Sequence, residues 1–207
     1  MNGRHMLFTN ALVEKAKGSH ASADVLAEAK STNVPTIVSR VMEARKEGHF
    51  TLACALSLDM IIHRIRTVRD GYRREAQKAI DGGDTGLVVK LNEEWWGCRP
   101  EEEGSGPLRS MAERLIADNL FEIYERSDGA LGHSQWIKRA EEIRDELIGS
   151  VSERIAKTEG SGMDFLSITV AELDLVGRIW IAGLELAESR VFAEERKHSR
   201  SRAPAAS

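Results

Sequence analysis

Asp59 and His63 lie four positions apart in an apolar stretch, which places their side chains on one face of a helix. A carboxylate beside an imidazole is the beginning of a metal site or of an acid–base pair. No third or fourth ligand occurs in the sequence at a suitable spacing from these two. We therefore interpret them as a structural or pH-sensing pair and expect neither a metal nor a cofactor.

The other reactive residues do not form a recognisable active site. Glu195 and His198 make a single Glu-x-x-His motif, whereas a di-iron bundle requires two such motifs and two further glutamates. The glycine-rich turn at 81–86 lacks the Gly-Lys-Ser/Thr ending of a phosphate loop, and no strand precedes it. Cys54 lies in an apolar run and is predicted to belong to the core, and Cys98 has no partner nearby. We therefore expect no catalytic residues and no enzymatic activity.

The strongest functional signal is a cluster of bases between residues 61 and 78. Its members are Arg64, Arg66, Arg69, Arg73, Arg74 and Lys78, against only two acids, Asp70 and Glu75. An ordinary solvated face and a surface for polyanions both explain such a cluster. Near an anionic leaflet each base contributes on the order of 1 kcal/mol, screened within a Debye length of about 10 Å. The cluster therefore predicts a weak, salt-sensitive attachment of one molecule to a polyanion, either phospholipid headgroups or nucleic acid.

The charges of the whole chain are polarised. The chain has 29 lysines and arginines against 33 acids, so its formal charge is −4. Of its 207 residues 42% are hydrophobic, as in a globular protein. No apolar run reaches the roughly 18 residues that span a bilayer. Residues 92–103 are acidic. A second basic group near the end is a candidate site for a nucleoprotein or nucleic acid and consists of Arg196, Lys197, Arg200 and Arg202.

The hydrophobic periodicity predicts helices and no strands, and hence an all-α fold. Helices are expected over 6–17, after Ser22, from Asn33 to Gly48, and over 50–68, 72–80, 87–96 and 108–126, then from Ser134 through Ile155 and from Asp164 to 198. The stretch 50–68 is apolar nearly all round, so we expect a central helix enclosed by the others, with a break near Gly71.

Glycines near residue 160 suggest a division into domains. We predict a helical amino-terminal domain over 1–156, a flexible linker over 157–163, an amphipathic helical segment over 164–198 and a disordered tail over 199–207. An isolated amphipathic helix must fold back or dock on a neighbouring copy to bury its apolar side. We favour docking on a neighbouring copy. The residues assigned to this oligomerisation contact are Phe165, Leu173, Val176, Trp180 and Leu184.

Several short segments occur in an order that resembles a known family. They are Asp24-Val25-Leu26-Ala27 through Val41-Met42-Glu43-Ala44-Arg45-Lys46, then Arg73-Arg74, Ala79-Ile80-Asp81-Gly82-Gly83-Asp84 and Val89-Lys90-Leu91, and finally Leu115 through Arg126, Gly129-Ala130 and Glu142-Ile143-Arg144-Asp145. In this order they resemble the matrix protein of the orthomyxoviruses, the influenza-type viruses. The resemblance covers residues 22–150 and depends on the order of the motifs, since each motif is short and imperfect.

The resemblance implies a viral matrix protein with a helical amino-terminal domain, a linker and a helical carboxy-terminal domain. Such a protein forms a polymeric layer beneath the virion envelope, and its partners are the anionic membrane, further copies of itself, the viral ribonucleoprotein and the tails of viral glycoproteins. Its implied locations are the virion, the host cytoplasm, the inner face of the plasma membrane and the nucleus. Arg73 and Arg74 match the family's membrane-facing arginines, whereas the other four bases are inferred from charge alone.

The sequence also departs from the family. The family's basic run should follow Val89-Lys90-Leu91, but the next residues here are Asn92-Glu93-Glu94-Trp95-Trp96. The family's Cys/His stretch should fall near 140–155, which contains neither residue type. A helical nucleic-acid-binding regulatory protein that uses the same bases therefore remains the alternative function.

Histidine titration adds one further expectation. The chain has six histidines, including His49, His63 and His133, and a histidine gains charge as the pH falls through roughly 6.5. Where a histidine lies between copies, the added positive charge would separate them. We therefore expect assembly of the protein to weaken in acid.

Overall fold

The regular structure is entirely α-helical, as the periodicity predicts. A computed structural model describes residues 6–16, 33–97, 107–128, 130–158 and 168–201, and these ranges contain helices without a strand. The helices of the described ranges are α1 (Leu7–Ala16), α2 (Val34–Glu47), α3 (Phe50–Asp81), α4 (Thr85–Gly97), α5 (Pro107–Arg126), α6 (His133–Thr158) and α7 (Val170–Ser201). The helix expected after Ser22 lies outside the described residues.

The two ends of α2 are set by local sequence signals. The Oδ1 atom of Asn33 accepts a hydrogen bond from the Thr36 N–H at 2.9 Å, and Pro35 lies in the first turn, where its missing N–H costs nothing. Gly48 ends the helix with a left-handed φ of 84°, a conformation that favours glycine. Both predicted boundaries of this helix are confirmed.

Helix α3 is the central helix of the fold. Every residue from Leu52 to Ile62 is buried, and α1, α2, α5, α6 and α7 all contact this helix. The predicted enclosure is therefore confirmed, but the predicted break near Gly71 is wrong, because α3 continues without interruption to Asp81. A single interior glycine costs about 1 kcal/mol relative to alanine, which is too little to end a helix with long flanks on both sides.

Helix α7 packs against α5 and belongs to the same hydrophobic core as the rest of the molecule. Its fully buried residues include Leu175, Ile179 and Ala187. At Gly183 the two helices approach so closely that an added Cβ would lie 2.6 Å from Cγ2 of Ile116 on α5. The prediction that the last helix stands apart from the body is therefore wrong: it folds back onto its own chain.

The predicted boundaries after residue 130 also require correction. Helix α6 begins at His133, so Ser134 lies inside the first turn instead of capping it, and α6 includes residues 157–158 of the predicted linker. Helix α7 begins at Val170 and extends to Ser201, so residues 199–201 are helical and do not belong to a disordered tail. The predicted Asp164 cap and linker residues 159–163 lie outside the described residues.

Candidate membrane-binding site

The second half of α3 presents three exposed bases on one face. Positions 64, 67, 71, 74 and 78 follow one another in steps of three and four residues, which is the repeat of one helix face. They hold Arg64, Thr67, Gly71, Arg74 and Lys78. All three bases are exposed, and a Cβ placed on Gly71 would meet no atom within 4 Å. These three residues, here called the basic face, are therefore accessible to a flat anionic surface.

Local contacts hold two of these bases and reduce their net charge only in part. The Nζ atom of Lys78 lies 2.8 Å from Oε1 of Glu75, and both side chains are exposed, so this ion pair is weak and readily exchanged. The Nε atom of Arg74 donates to the backbone oxygen of Asp70 at 3.2 Å, which leaves its positive charge uncompensated. The basic face therefore supports a weak electrostatic contact by a single molecule.

The remaining bases of the cluster lie on the side of α3 that turns toward α7. Arg66 is only 2% exposed, and its guanidinium pairs with the carboxylate of Glu172. Arg69 is mostly covered, with a side-chain nitrogen 3.5 Å from the same carboxylate, whereas Arg73 is exposed. The prediction that Arg66 contacts a membrane is wrong, because a charge closed to solvent cannot reach a lipid headgroup.

Glu172 takes part both in the cap of α7 and in the ion pair with Arg66. The Thr169 N–H donates to Oε2 of Glu172 at 2.9 Å, and the Glu172 N–H donates to Oγ1 of Thr169 at 3.1 Å, which is a capping box at the start of α7. Burial alone would raise the pKa of Glu172, but the hydrogen bonds and charge of Arg66, with help from Thr169 and Arg69, lower it below its ordinary value. The sequence contains the signal for this site, since Thr169-Val170-Ala171-Glu172 is a capping-box pattern.

Exposed apolar residues flank the turn between α3 and α4. Ile80 is exposed near the end of α3, and Leu87 and Val89 are exposed on α4. Between them Gly83 has a φ of 74°, and Oδ1 of Asp84 accepts the Leu87 N–H at 2.9 Å and so caps α4. Ile80 lies about 200° around the helix from Lys78, so the exposed apolar side chains at this turn do not lie on the basic face.

The predicted oligomerisation residues lie on α7 but have unequal exposure. Val176 and Trp180 are buried against the body of the same chain, which corrects their assignment to a contact between copies. Leu173 is 46% exposed, and Leu184 is partly buried. All four line a groove between α6 and α7, and Phe165 lies outside the described residues.

The predicted nucleoprotein site is only partly described. Arg196 and Lys197 are exposed near the end of α7, where the Nε atom of Arg196 donates to the Phe192 carbonyl and Lys197 pairs with Glu194. Arg200 lies in the last turn of the helix, and Arg202 lies outside the described residues.

Asp59 holds the start of α1 onto α3. Its Oδ1 accepts the N–H groups of Leu7 and Phe8 at 2.8 and 2.9 Å, and its Oδ2 accepts that of Thr9 at 2.8 Å. Asp59 thus serves as the amino-terminal cap of a helix 50 residues away along the chain. Burial raises the pKa of Asp59 to about 6 despite these hydrogen bonds. At His63, which is half-buried, burial lowers the pKa.

His133 lies in a contact within the molecule. Its ring stacks on Phe192 with centroids 4.4 Å apart, and Nε2 lies 2.7 Å from Oε1 of Glu188. Its backbone N–H donates to Glu195 at 3.2 Å. These contacts join the start of α6 to the last turns of α7 within one chain.

Among the described residues no group of three or more His, Cys, Asp or Glu side chains is placed to hold a metal, and no helix is both long and apolar enough to cross a membrane. Cys54 is buried in the core, as predicted, and burial raises the pKa of its thiol to about 12. This thiol is therefore unreactive at neutral pH.

Comparison with known proteins adds no identification. No protein-family model matches the sequence, no curated protein matches it, and no solved structure matches the fold. A functional conclusion must therefore come from the residues and contacts described above.

Proposed function

We propose that this protein is a non-enzymatic matrix protein that coats an anionic membrane. The basic face of α3 binds lipid phosphates, and copies assembled side by side form a layer beneath a viral envelope and link it to the ribonucleoprotein. The observation that carries the proposal is the row of exposed bases formed by Arg64, Arg74 and Lys78. The collinear resemblance to the orthomyxovirus matrix family supports the same function.

The charges of the basic face suit reversible attachment. Three bases at about 1 kcal/mol each, reduced by the Glu75 pair, give one molecule only millimolar-range retention on a leaflet. Joining many copies raises the effective affinity by orders of magnitude. Weak single contacts combined with assembly allow a coat to form on a membrane and to leave it again.

Vesicle flotation tests the proposal with a matched control. The variant Arg64→Gln/Arg74→Gln/Lys78→Gln removes the basic face, and the variant Lys138→Gln/Arg139→Gln/Lys157→Gln removes the same charge from exposed positions on α6. Vesicles of phosphatidylcholine with and without phosphatidylserine are floated at low and high salt. We expect tenfold or greater loss of binding for the first variant and little change for the second.

Three outcomes would contradict the proposal. Equal losses in both variants would mean that only overall charge matters. Equal binding with and without phosphatidylserine would exclude an electrostatic contact. Binding of RNA with a steep salt dependence, while vesicles are ignored, would favour the nucleic-acid-binding alternative.

A further inference from the structure

The groove between α6 and α7 is an open apolar cavity in the surface of the protein. Its volume is about 200 Å³, and its floor is formed by Phe8 of α1 and Leu58 of α3, both 2% exposed. Its walls include Ile148, Leu173 and Ile181, which are 46%, 46% and 56% exposed. A concave apolar surface of this depth is typical of a ligand site and differs from a flat contact between proteins.

One charged hydrogen-bond donor interrupts the apolar lining. Among the described lining residues Arg144 is the charged one, and its guanidinium pairs with the exposed carboxylate of Asp145 at 3.0 Å, a weak restraint. A guanidinium carries five N–H donors, so this pair leaves donors for a bound carboxylate.

We propose that the groove binds a medium-chain fatty acid. The apolar walls take the alkyl chain, and the carboxylate supplies negative charge and oxygen acceptors for Arg144. A water molecule in the liquid occupies about 30 Å³, and a methylene group has a similar volume. The groove of about 200 Å³ therefore accommodates an alkyl segment of about seven carbon atoms. This site is separate from the basic face and does not depend on the proposed membrane function.

The chemistry predicts a graded series of affinities. Each methylene buried in the groove strengthens binding about fourfold until the groove is full. Replacing the carboxylate with a hydroxyl removes the charge-assisted hydrogen bond to Arg144 and should weaken binding about tenfold. A trimethylammonium head should bind more weakly still, because it places a cation beside Arg144.

Gly177 allows the groove to be filled without removing any packing. It lines the groove, and a Cβ placed on it would meet no atom within 4 Å. Gly177→Leu therefore occupies the ligand space while improving helix propensity, and the variant should remain folded. Gly149 is an open helical glycine outside the groove lining, so Gly149→Leu is the matched control.

Isothermal titration calorimetry of the full chain with butyrate, octanoate, decanoate and decanol, all below their micelle concentrations, tests the proposal. We expect binding to strengthen from butyrate to octanoate and to level off at decanoate. Decanoate binding should fall at least tenfold in Gly177→Leu and stay unchanged in Gly149→Leu, and Arg144→Gln should weaken decanoate but not decanol.

Two results would overturn the assignment. Decanoate binding that is absent, or that is unchanged in Gly177→Leu, would show that the groove is not the site. A wild-type dimer that becomes a monomer in Gly177→Leu, measured by light scattering, would assign the groove to a second copy of the chain instead.

Discussion

Arg66 on α3 and Glu172 on α7 form a bidentate ion pair that is closed to solvent. The guanidinium Nε and Nη2 atoms donate to the two carboxylate oxygens at 3.0 Å each, and the two side chains are 2% and 0% exposed. The pair joins the central helix to the first turn of the last helix. It therefore fixes the position of α7 where its capping box begins.

Removal of the Glu172 charge should destabilise the protein strongly. In Glu172→Gln the buried guanidinium of Arg66 loses this bidentate carboxylate, and breaking a buried ion pair on one side costs about 3 kcal/mol or more of the free energy of unfolding. Urea denaturation measures this loss. In the double variant Arg66→Met/Glu172→Gln the buried charge is absent, so part of the loss should be recovered.

An exposed pair provides the control for that experiment. Arg40 and Glu43 lie 2.7 Å apart with both side chains well exposed, so Glu43→Gln should cost less than about 1 kcal/mol. Equal effects of Glu172→Gln and Glu43→Gln would show that burial does not control the strength of the Arg66 pair.

Asp59 should make the unfolding free energy depend on pH between about 4 and 6. Burial raises its pKa from 3.8 to about 6 in the folded protein, so in this window the folded state holds a proton that the unfolded state has released. The contribution of this group to stability is therefore greatest in acid and falls as the pH rises through 6, by on the order of 3 kcal/mol. Urea denaturation of wild type and Asp59→Asn at each pH measures the two free energies of unfolding. A difference between them that does not change with pH would contradict the prediction.

Glu172 should give the opposite dependence at lower pH. Its pKa is lowered from 4.5, because the hydrogen bonds and charge of Arg66 outweigh the effect of burial. Its stabilising contribution is therefore complete above about 4.5 and is lost as the pH falls through the folded value. The loss of stability of the wild type below pH 4.5 should be smaller in Glu172→Gln, and an unchanged acid dependence would count against the pair.

The close approach at Gly183 should make this position intolerant of a methyl group. A Cβ there would lie 2.6 Å from Ile116 Cγ2 and 3.0 Å from the Glu113 carbonyl oxygen, so α5 and α7 must separate. We expect Gly183→Ala to lower the unfolding free energy by about 1–3 kcal/mol despite its better helix propensity. Gly177→Ala on the same helix meets no atom and should be neutral or stabilising; equal melting temperatures for both variants would exclude the steric effect.

Arg126 should stabilise the end of α2. Its Nη2 atom donates to the carbonyl oxygens of Arg45 and Lys46 at 2.9 Å each, and its guanidinium lies 5.4 Å from the centre of the Phe50 ring. Lysine cannot reproduce this planar arrangement, so Arg126→Lys should cost about 1–2 kcal/mol in urea denaturation. Arg139 forms an exposed pair on α6, so Arg139→Lys should cost less than half as much stability as Arg126→Lys. Equal costs for the two variants would contradict a capping role for Arg126.

Local signals predicted much of the fold. Asn33, Pro35 and Gly48 set the ends of α2 through contacts within a few residues, so their effect is visible in the sequence. The enclosed part of α3 was predictable because a helix that is apolar on all sides has to be covered. The break at Gly71 was mispredicted because a glycine lowers helix propensity without removing any of the flanking hydrogen bonds.

The candidate site was less predictable because its key contacts join distant residues. Arg66 and Glu172 are 106 positions apart, so charge spacing alone could not separate Arg66 from the exposed bases Arg64 and Arg74. The apolar side of α7 was recognised, but the sequence did not show that α5 covers it. The depth of the groove beside Trp180 depends on four helices and has no local signature.

The dependence of α1 on Asp59 affects how the protein is made. The first turn of α1 takes its hydrogen-bond acceptor from α3, and its apolar side packs against α6, which is synthesised about 120 residues later. At ribosomal rates of about 5–20 residues per second, the nascent helix waits on the order of ten seconds for its partners. During synthesis this segment is therefore a natural client for chaperones that shield apolar surface until the chain is long enough to close over it.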